Sequence, residues 1–164
     1  MPRDCNAGAA RDLRDMFGQF ASGVTVIACG PEGDEHGMTA NAFMSVSLDP
    51  PLVTVSLQND CRMSSRLKVG DRFGVSILAE DQRAASDHFA GRAIEADAAR
   101  FERKANAPVL QGALAWIAGT VVQQAPAGDH TLYIARVEDF DRSGGTPLLF
   151  FGGAYRRISQ EAGQ

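Results

Sequence analysis

Cysteine is scarce in this chain. Its three cysteines, Cys5, Cys29 and Cys61, are far apart, odd in number and outside any CxxC pair. That excludes a disulfide framework and leaves thiols with no assigned chemistry. The three histidines, His36, His88 and His130, are equally scattered, and no ligand spacing argues for a metal. Long apolar runs are missing too, so nothing approaches the roughly 18–20 residues that cross a bilayer. The opening Met1-Pro2-Arg3-Asp4-Cys5 lacks the apolar stretch of a signal peptide. Positive charge is not in excess. The net charge is −4 with both signs dispersed, which argues against a nucleic-acid partner. Neither GxGxxG nor GxxxxGK[ST] occurs, so a nucleotide would have to be held by another device. The expected compartment is the cytoplasm, with no membrane association.

What is present is one domain's worth of chain, 164 residues and 45% hydrophobic. Residues 1–10 are small and polar and read as a flexible arm; residues 11–160 read as a single domain. Leu13, Met16, Phe17 and Phe20 follow the i, i+3, i+4, i+7 stripe of an amphipathic helix over residues 11–20. Residues 24–29 are a buried strand, and the turn residues 30–34 predict a hairpin into a strand over 37–48. A strand at 52–58 follows. Asn59-Asp60 would cap a helix over 62–69. Another strand covers 73–78, a helix covers 80–89, and residues 91–107 read as a weakly patterned excursion. Strands at 114–124, 131–140 and 148–151 complete the chain, the last three separated by Gly- and Pro-bearing turns. About seven strands joined by hairpin-like turns suit an antiparallel barrel better than a doubly wound parallel sheet.

The stretch from Gly37 to Pro51 carries the most information. Thr39, Asn41, Ser45 and Ser47 alternate with Met38, Ala40, Met44, Val46 and Leu48 before a double proline. A regular strand would aim all four polar side chains at one face. Such a face could receive a flat, polar-edged ligand; on periodicity alone it is a wet face.

Together with Leu52-Val53-Thr54-Val55-Ser56-Leu57 this stretch resembles the flavin reductase family. Gly23-Val24-Thr25-Val26-Ile27 upstream adds to the likeness. So do Gly112-Ala113-Leu114-Ala115-Trp116, Gly128-Asp129-His130-Thr131 and Pro147-Leu148-Leu149-Phe150-Phe151 with Tyr155-Arg156 downstream. The resemblance spans about residues 17–157. It implies a mainly β split β-barrel with a few short helices. The implied activity is hydride transfer from NADH or NADPH to FMN or FAD, which supplies reduced flavin to a partner monooxygenase. A small open groove of this kind predicts a homodimer with flavin near the interface.

By the same resemblance, Thr39, Ala40 and Asn41 would lie along the ring and ribityl chain. Ser45, Val46 and Ser47 would meet the pyrimidine edge, partly through backbone groups that stabilise negative charge. Gln58, Asn59, Ser64, Ser65 and Arg66 mark a strand end and helix start that could meet the flavin phosphate; the alternative for Ser64 and Arg62 is a capped surface helix. His130 would stand near the nicotinamide, while Asp129 shapes the turn. Tyr155 and Arg156 are further candidates near the open face, against an aromatic packed at a barrel mouth beside a solvated arginine. Ala42 departs from relatives that carry serine there. Trp116 reads as core or dimer contact. The other readings are a flavin-binding carrier or sensor without turnover, an oxidase of the pyridoxamine-phosphate type, which the sparse basic residues disfavour, and a purely structural barrel.

Overall fold

The computed structural model describes residues 7–92 and 99–159. The chain starts with α1 (Ala7–Phe17), β1 (Ser22–Gly23), β2 (Thr25–Cys29) and β3 (His36–Ala40). Then come β4 (Phe43–Leu48), β5 (Pro51–Gln58), α2 (Arg62–Arg66), β6 (Arg72–Ile77) and α3 (Arg83–Phe89). The rest is β-structure: β7 (Phe101–Lys104), β8 (Ala107–Leu110), β9 (Ala115–Ala127), β10 (His130–Arg142), β11 (Leu149–Phe151) and β12 (Ala154–Arg156).

Seven strands form one antiparallel sheet in the order β3-β2-β6-β9-β10-β5-β4. β3 and β4, although neighbours in sequence, are its two outer edges. A bend at Asn41 and Ala42 separates them, and the Ser56 N–H donates to the Ala42 carbonyl at 3.0 Å. Two smaller sheets, β1-β11-β12 and β7-β8, flank the large one.

β2 explains how the centre is built. Thr-Val-Ile-Ala-Cys has no alternation, and all five residues are buried, because the strand is covered on both faces. One face joins Ile27, Val55, Leu57, Phe73, Val75 and Tyr133; the other joins Val26 to Leu78, Ala85, Leu110 and Leu148. β8 crosses β6 so closely that a Cβ on Gly74 would collide with the Pro108 carbonyl oxygen. At Gly37, a Cβ would stand 2.6 Å from the Phe89 ring and 2.9 Å from Phe101, so glycine there lets β3 accept α3 and β7.

Several sequence expectations need correction. The strand expected over 37–48 is two strands with different partners, β2 for β3 and β5 for β4. β4 also carries a bulge between Ser45 and Ser47, which breaks the period-two alternation. α1 begins at Ala7, so residues 7–10 belong to a helix; residues 1–6 lie outside the described residues. α2 is only five residues long, and its N-cap is Cys61 with no side-chain cap, not Asn59 or Asp60. Within the expected excursion over 91–107 the chain forms β7 and enters β8, whose Ala-Pro-Val-Leu is wholly buried; residues 93–98 lie outside the described residues. β9 and β10 run 13 residues each and leave only Gly128 and Asp129 as the turn. β12 was not anticipated.

Candidate functional site

The end of β3 meets the end of β5 and the start of β10 across a cavity of about 280 Å³. β3 contributes Met38, Thr39 and Ala40, followed by Asn41; β5 contributes Ser56 and Gln58; β10 contributes His130. Cys61, at the start of α2, completes the wall. Strand register accounts for the meeting, since His130 lies directly opposite Gln58 in the β10–β5 ladder.

The rim is held by the β9–β10 turn. The Asn59 backbone N–H donates to the Asp129 carbonyl at 3.0 Å, and its side-chain amide donates to the Gly128 carbonyl at 3.2 Å. Thr131 Oγ1 donates to Asn59 Oδ1 at 2.8 Å. Asn59 is therefore committed to the turn and positions His130. The imidazole Nδ1 lies 2.7 Å from Asp129 Oδ1. That hydrogen bond, followed by the electrostatic attraction of the imidazole, holds the Asp129 carboxyl below its usual range. With Nδ1 occupied by the carboxylate, Nε2 is the ring nitrogen left for a ligand.

Thr39 contributes differently from expectation. Its hydroxyl donates to the Ser86 carbonyl at 2.6 Å, which ties β3 to α3. Behind it lies a hydrogen-bonded cluster with no signal in the sequence. Ser86 Oγ and Tyr155 Oη are 2.8 Å apart, and Tyr155 Oη donates to Asp87 Oδ1 at 3.0 Å. Arg92 donates to the same carboxylate oxygen at 2.7 Å, and Arg83 lies over the Tyr155 ring at 5.0 Å. Burial pushes the Tyr155 phenol above its usual range; the Ser86 bond opposes this and Asp87 reinforces it. A second cavity of about 190 Å³ brings Tyr155 together with Thr39, Ala40 and Asn41.

The other expected residues are distributed more widely. Ser45 and Ser47 line an apolar cavity of about 510 Å³ with Leu48, Trp116 and Phe140, away from His130. Val46, at the bulge, is 46% exposed. Ser64 Oγ donates to the Gln58 carbonyl at 2.6 Å, and Ser65 Oγ to the Arg62 carbonyl at 2.8 Å. Both hydroxyl protons are thus spent on backbone oxygens, so neither donates to a phosphate in this arrangement. Arg66 turns the other way, donating to the Asp34 carbonyl at 3.3 Å and its carboxylate at 3.2 Å. Among the described residues no group of three or more His, Cys, Asp or Glu is placed to hold a metal.

The arrangement offers a flat ligand a floor of strand backbone, two side-chain amides at Asn41 and Gln58, and one oriented imidazole. Such a surface suits a reaction whose electrons move on a cofactor that the protein holds and orients. Comparison with known proteins agrees. The NADH-dependent flavin reductase of a Rhodococcus species is 49% identical over 149 residues, covering 89% of this chain and 85% of that protein. The reductase component of 4-hydroxyphenylacetate 3-monooxygenase from Thermus thermophilus is 39% identical, covering 89% of this chain and 95% of that protein. The solved structure of flavin reductase PheA2 superposes with a TM-score of 0.87 at 44% identity, covering 92% of this chain and 98% of that one. The model of the flavin reductase like domain matches residues 17–159, and the chain belongs to that family.

Proposed function

We propose that this chain is an NADH-dependent flavin reductase that supplies reduced FMN or FAD to a separate monooxygenase component. One observation carries the reading. The Thr-Ala-Asn segment at the end of β3 faces Gln58 and the Asp129-oriented His130 across a single cavity, in a chain that belongs to the flavin reductase family. The names of the relatives support NADH as the reductant and an oxygenase as the recipient.

The residues present fit a flavin. Asn41 and Gln58 each present amide donors and an acceptor, matching the mixed edge of its pyrimidine ring. Bound flavin supplies the hydride acceptor for a reduced nicotinamide. Thr39, Ala40 and Asn41 form the floor, with Thr39 acting through its backbone because its hydroxyl is engaged with Ser86. Ser45, Val46 and Ser47 lie beyond the bend, on the other edge strand β4. His130 is the catalytic candidate, its Nε2 serving the nicotinamide carboxamide while Asp129 fixes the ring. Ser64 and Tyr155 support the floor from behind.

The larger assembly follows from the edges. β3 and β4 are read as the lips of a split β-barrel whose single domain covers residues 11–160. Leu48 at 94% exposure and Phe140 at 71% line the apolar cavity together with Trp116. A second copy seated there gives a homodimer with the flavin near the interface. No helix among the described residues is long and apolar enough to cross a membrane.

The test is oxidation of NADH, and separately NADPH, by the purified protein with FMN or FAD, followed by loss of the reduced-nicotinamide absorbance. Turnover with NADH and either flavin is the expected result. Flavin binding without turnover would replace this reading with a carrier or sensor, and failure to bind either flavin would leave a structural barrel.

A further inference from the structure

The β9–β10 ribbon outruns the sheet that carries it. β6 pairs with β9 only as far as Arg72 and Thr120, so among the described residues the end of β9 from Val121 to Ala127 has β10 alone as ladder partner. On the other side the β10–β5 ladder stops at His130 and Gln58. The turn residues Gly128 and Asp129 therefore lie beyond the last strand pair. The Asp129 side chain is 88% exposed and that of His130 is 37% exposed. A tip with so little packed against it opens easily unless something else holds it.

Asn59, one residue past the end of β5, supplies that hold. Its backbone N–H and its side-chain amide take the Asp129 and Gly128 carbonyls, and its Oδ1 accepts from Thr131 Oγ1. These partners stand on both sides of His130. A planar amide that donates from one end and accepts at the other fixes two points at a set separation. The hold is itself anchored. Ser64 Oγ and the Cys61 N–H both donate to the Gln58 carbonyl, at 2.6 and 3.3 Å. That carbonyl and the Asn59 N–H belong to one peptide unit. A single rigid plane thus receives the start of α2 on one edge and grips the hairpin turn with the other.

Two neighbours in sequence divide the work. Gln58 lines the cavity of Thr39 and His130, whereas Asn59 is not part of its wall. Asn59 therefore reaches the site through the turn and the imidazole that the turn carries. Thr131 completes the arrangement from the other side of His130, because its hydroxyl proton goes to Asn59 Oδ1.

We propose that Asn59 and Thr131 are positioning residues for the reductant, which set His130 toward the nicotinamide and make no contact with the flavin. The proposal rests on the flavin reductase reading. It replaces the phosphate contact that the family resemblance implies for Asn59. Loss of the clamp leaves the flavin floor of Thr39, Ala40, Asn41 and Gln58 in place and frees the imidazole, so the cost falls on the use of NADH.

Asn59→Ala, Thr131→Val and Thr131→Ser are compared with the wild type. NADH oxidation at saturating FMN gives kcat and KM, fluorescence titration gives the FMN dissociation constant, and NMR follows the Asp129 carboxyl carbon. Asn59 is exposed, so its truncation leaves the core intact. Asn59→Ala should lower kcat/KM for NADH about three- to tenfold, the scale of one lost hydrogen bond, while FMN affinity holds. Its Asp129 carboxyl should titrate at higher pH, because a loosened tip weakens the His130 hydrogen bond that holds it down. Thr131→Val should move both readings the same way, and Thr131→Ser should restore them. Combining Asn59→Ala with His130→Ala should cost no more than His130→Ala alone, since the clamp acts only through the imidazole. Weaker FMN binding in Asn59→Ala overturns the proposal in favour of a direct flavin contact. Additive losses in the double variant, an unmoved Asp129 titration or an unchanged kcat/KM overturn it as well. Those failures appear with a wild type that oxidises NADH. A wild type that oxidises none with either flavin sinks the flavin reductase reading itself, and this proposal with it.

Discussion

At the scale of single residues, the Asp129–His130 pair is what the proposed function assigns to meeting the reductant. Asp129 is exposed, so its depressed pKa is a local reporter. A depressed carboxyl keeps its interaction above the ordinary aspartate value of about 3.9 and loses it only as pH falls through the lower folded value. In His130→Ala, the Asp129 carboxyl carbon followed by NMR should titrate at higher pH than in the wild type. The same substitution should lower kcat/KM for NADH about tenfold, the equivalent of one hydrogen bond of roughly 1.4 kcal/mol, and change flavin affinity less. Tyr155 gives the opposite pH sign. Its phenol is raised, so its contribution is intact below the ordinary tyrosine value of about 10 and fades as pH climbs through the folded value. Tyr155→Phe removes the hydroxyl between Ser86 and Asp87. It should cost about 1–2 kcal/mol in denaturant unfolding at neutral pH and shrink the alkaline loss of stability.

At the scale of elements, the closest crossing is β6 under β8. Gly74→Ala should destabilise the fold by about 3 kcal/mol, measured as a lower urea midpoint, because the added methyl meets the Pro108 backbone and no flexible side chain. The same crossing shows what local pattern conveys. β2 and the β9–β10 pair were legible, since unbroken apolar runs or hairpin turns mark them without tertiary help. β8 was not, because four residues beginning Ala-Pro carry no period and owe their burial to β6. The break at Asn41 was hidden for a similar reason: the polar alternation from Thr39 to Ser47 continues straight through it. Which hydroxyls face a ligand depends on where β3 hands over to β4 and where β4 bulges. Thus Thr39, Asn41, Gln58 and His130 line one cavity, while Ser45 and Ser47 line another. The Ser86, Asp87 and Arg92 cluster had no signal, because its members meet Tyr155 only after the chain has come full circle.

At the scale of the whole molecule, the exposed Leu48 and Phe140 make an association prediction. Leu48→Asp combined with Phe140→Asp should shift the protein from dimer to monomer in sedimentation velocity, because two charges would have to enter an apolar contact without partners. A wild type that is monomeric at micromolar concentration would remove the dimer from the account. The bend at Asn41 and Ala42 has a wider consequence. It lies where the sheet's two free margins come together, so the number of residues in the crossing sets how far apart those margins stand. Adding one residue would rotate everything after it by half a period and misalign the ladder with β5. Spacer length is therefore constrained there independently of side-chain identity. The Pro31–Glu35 reversal, whose far end opens to solvent, should tolerate insertions that the Asn41 crossing would not.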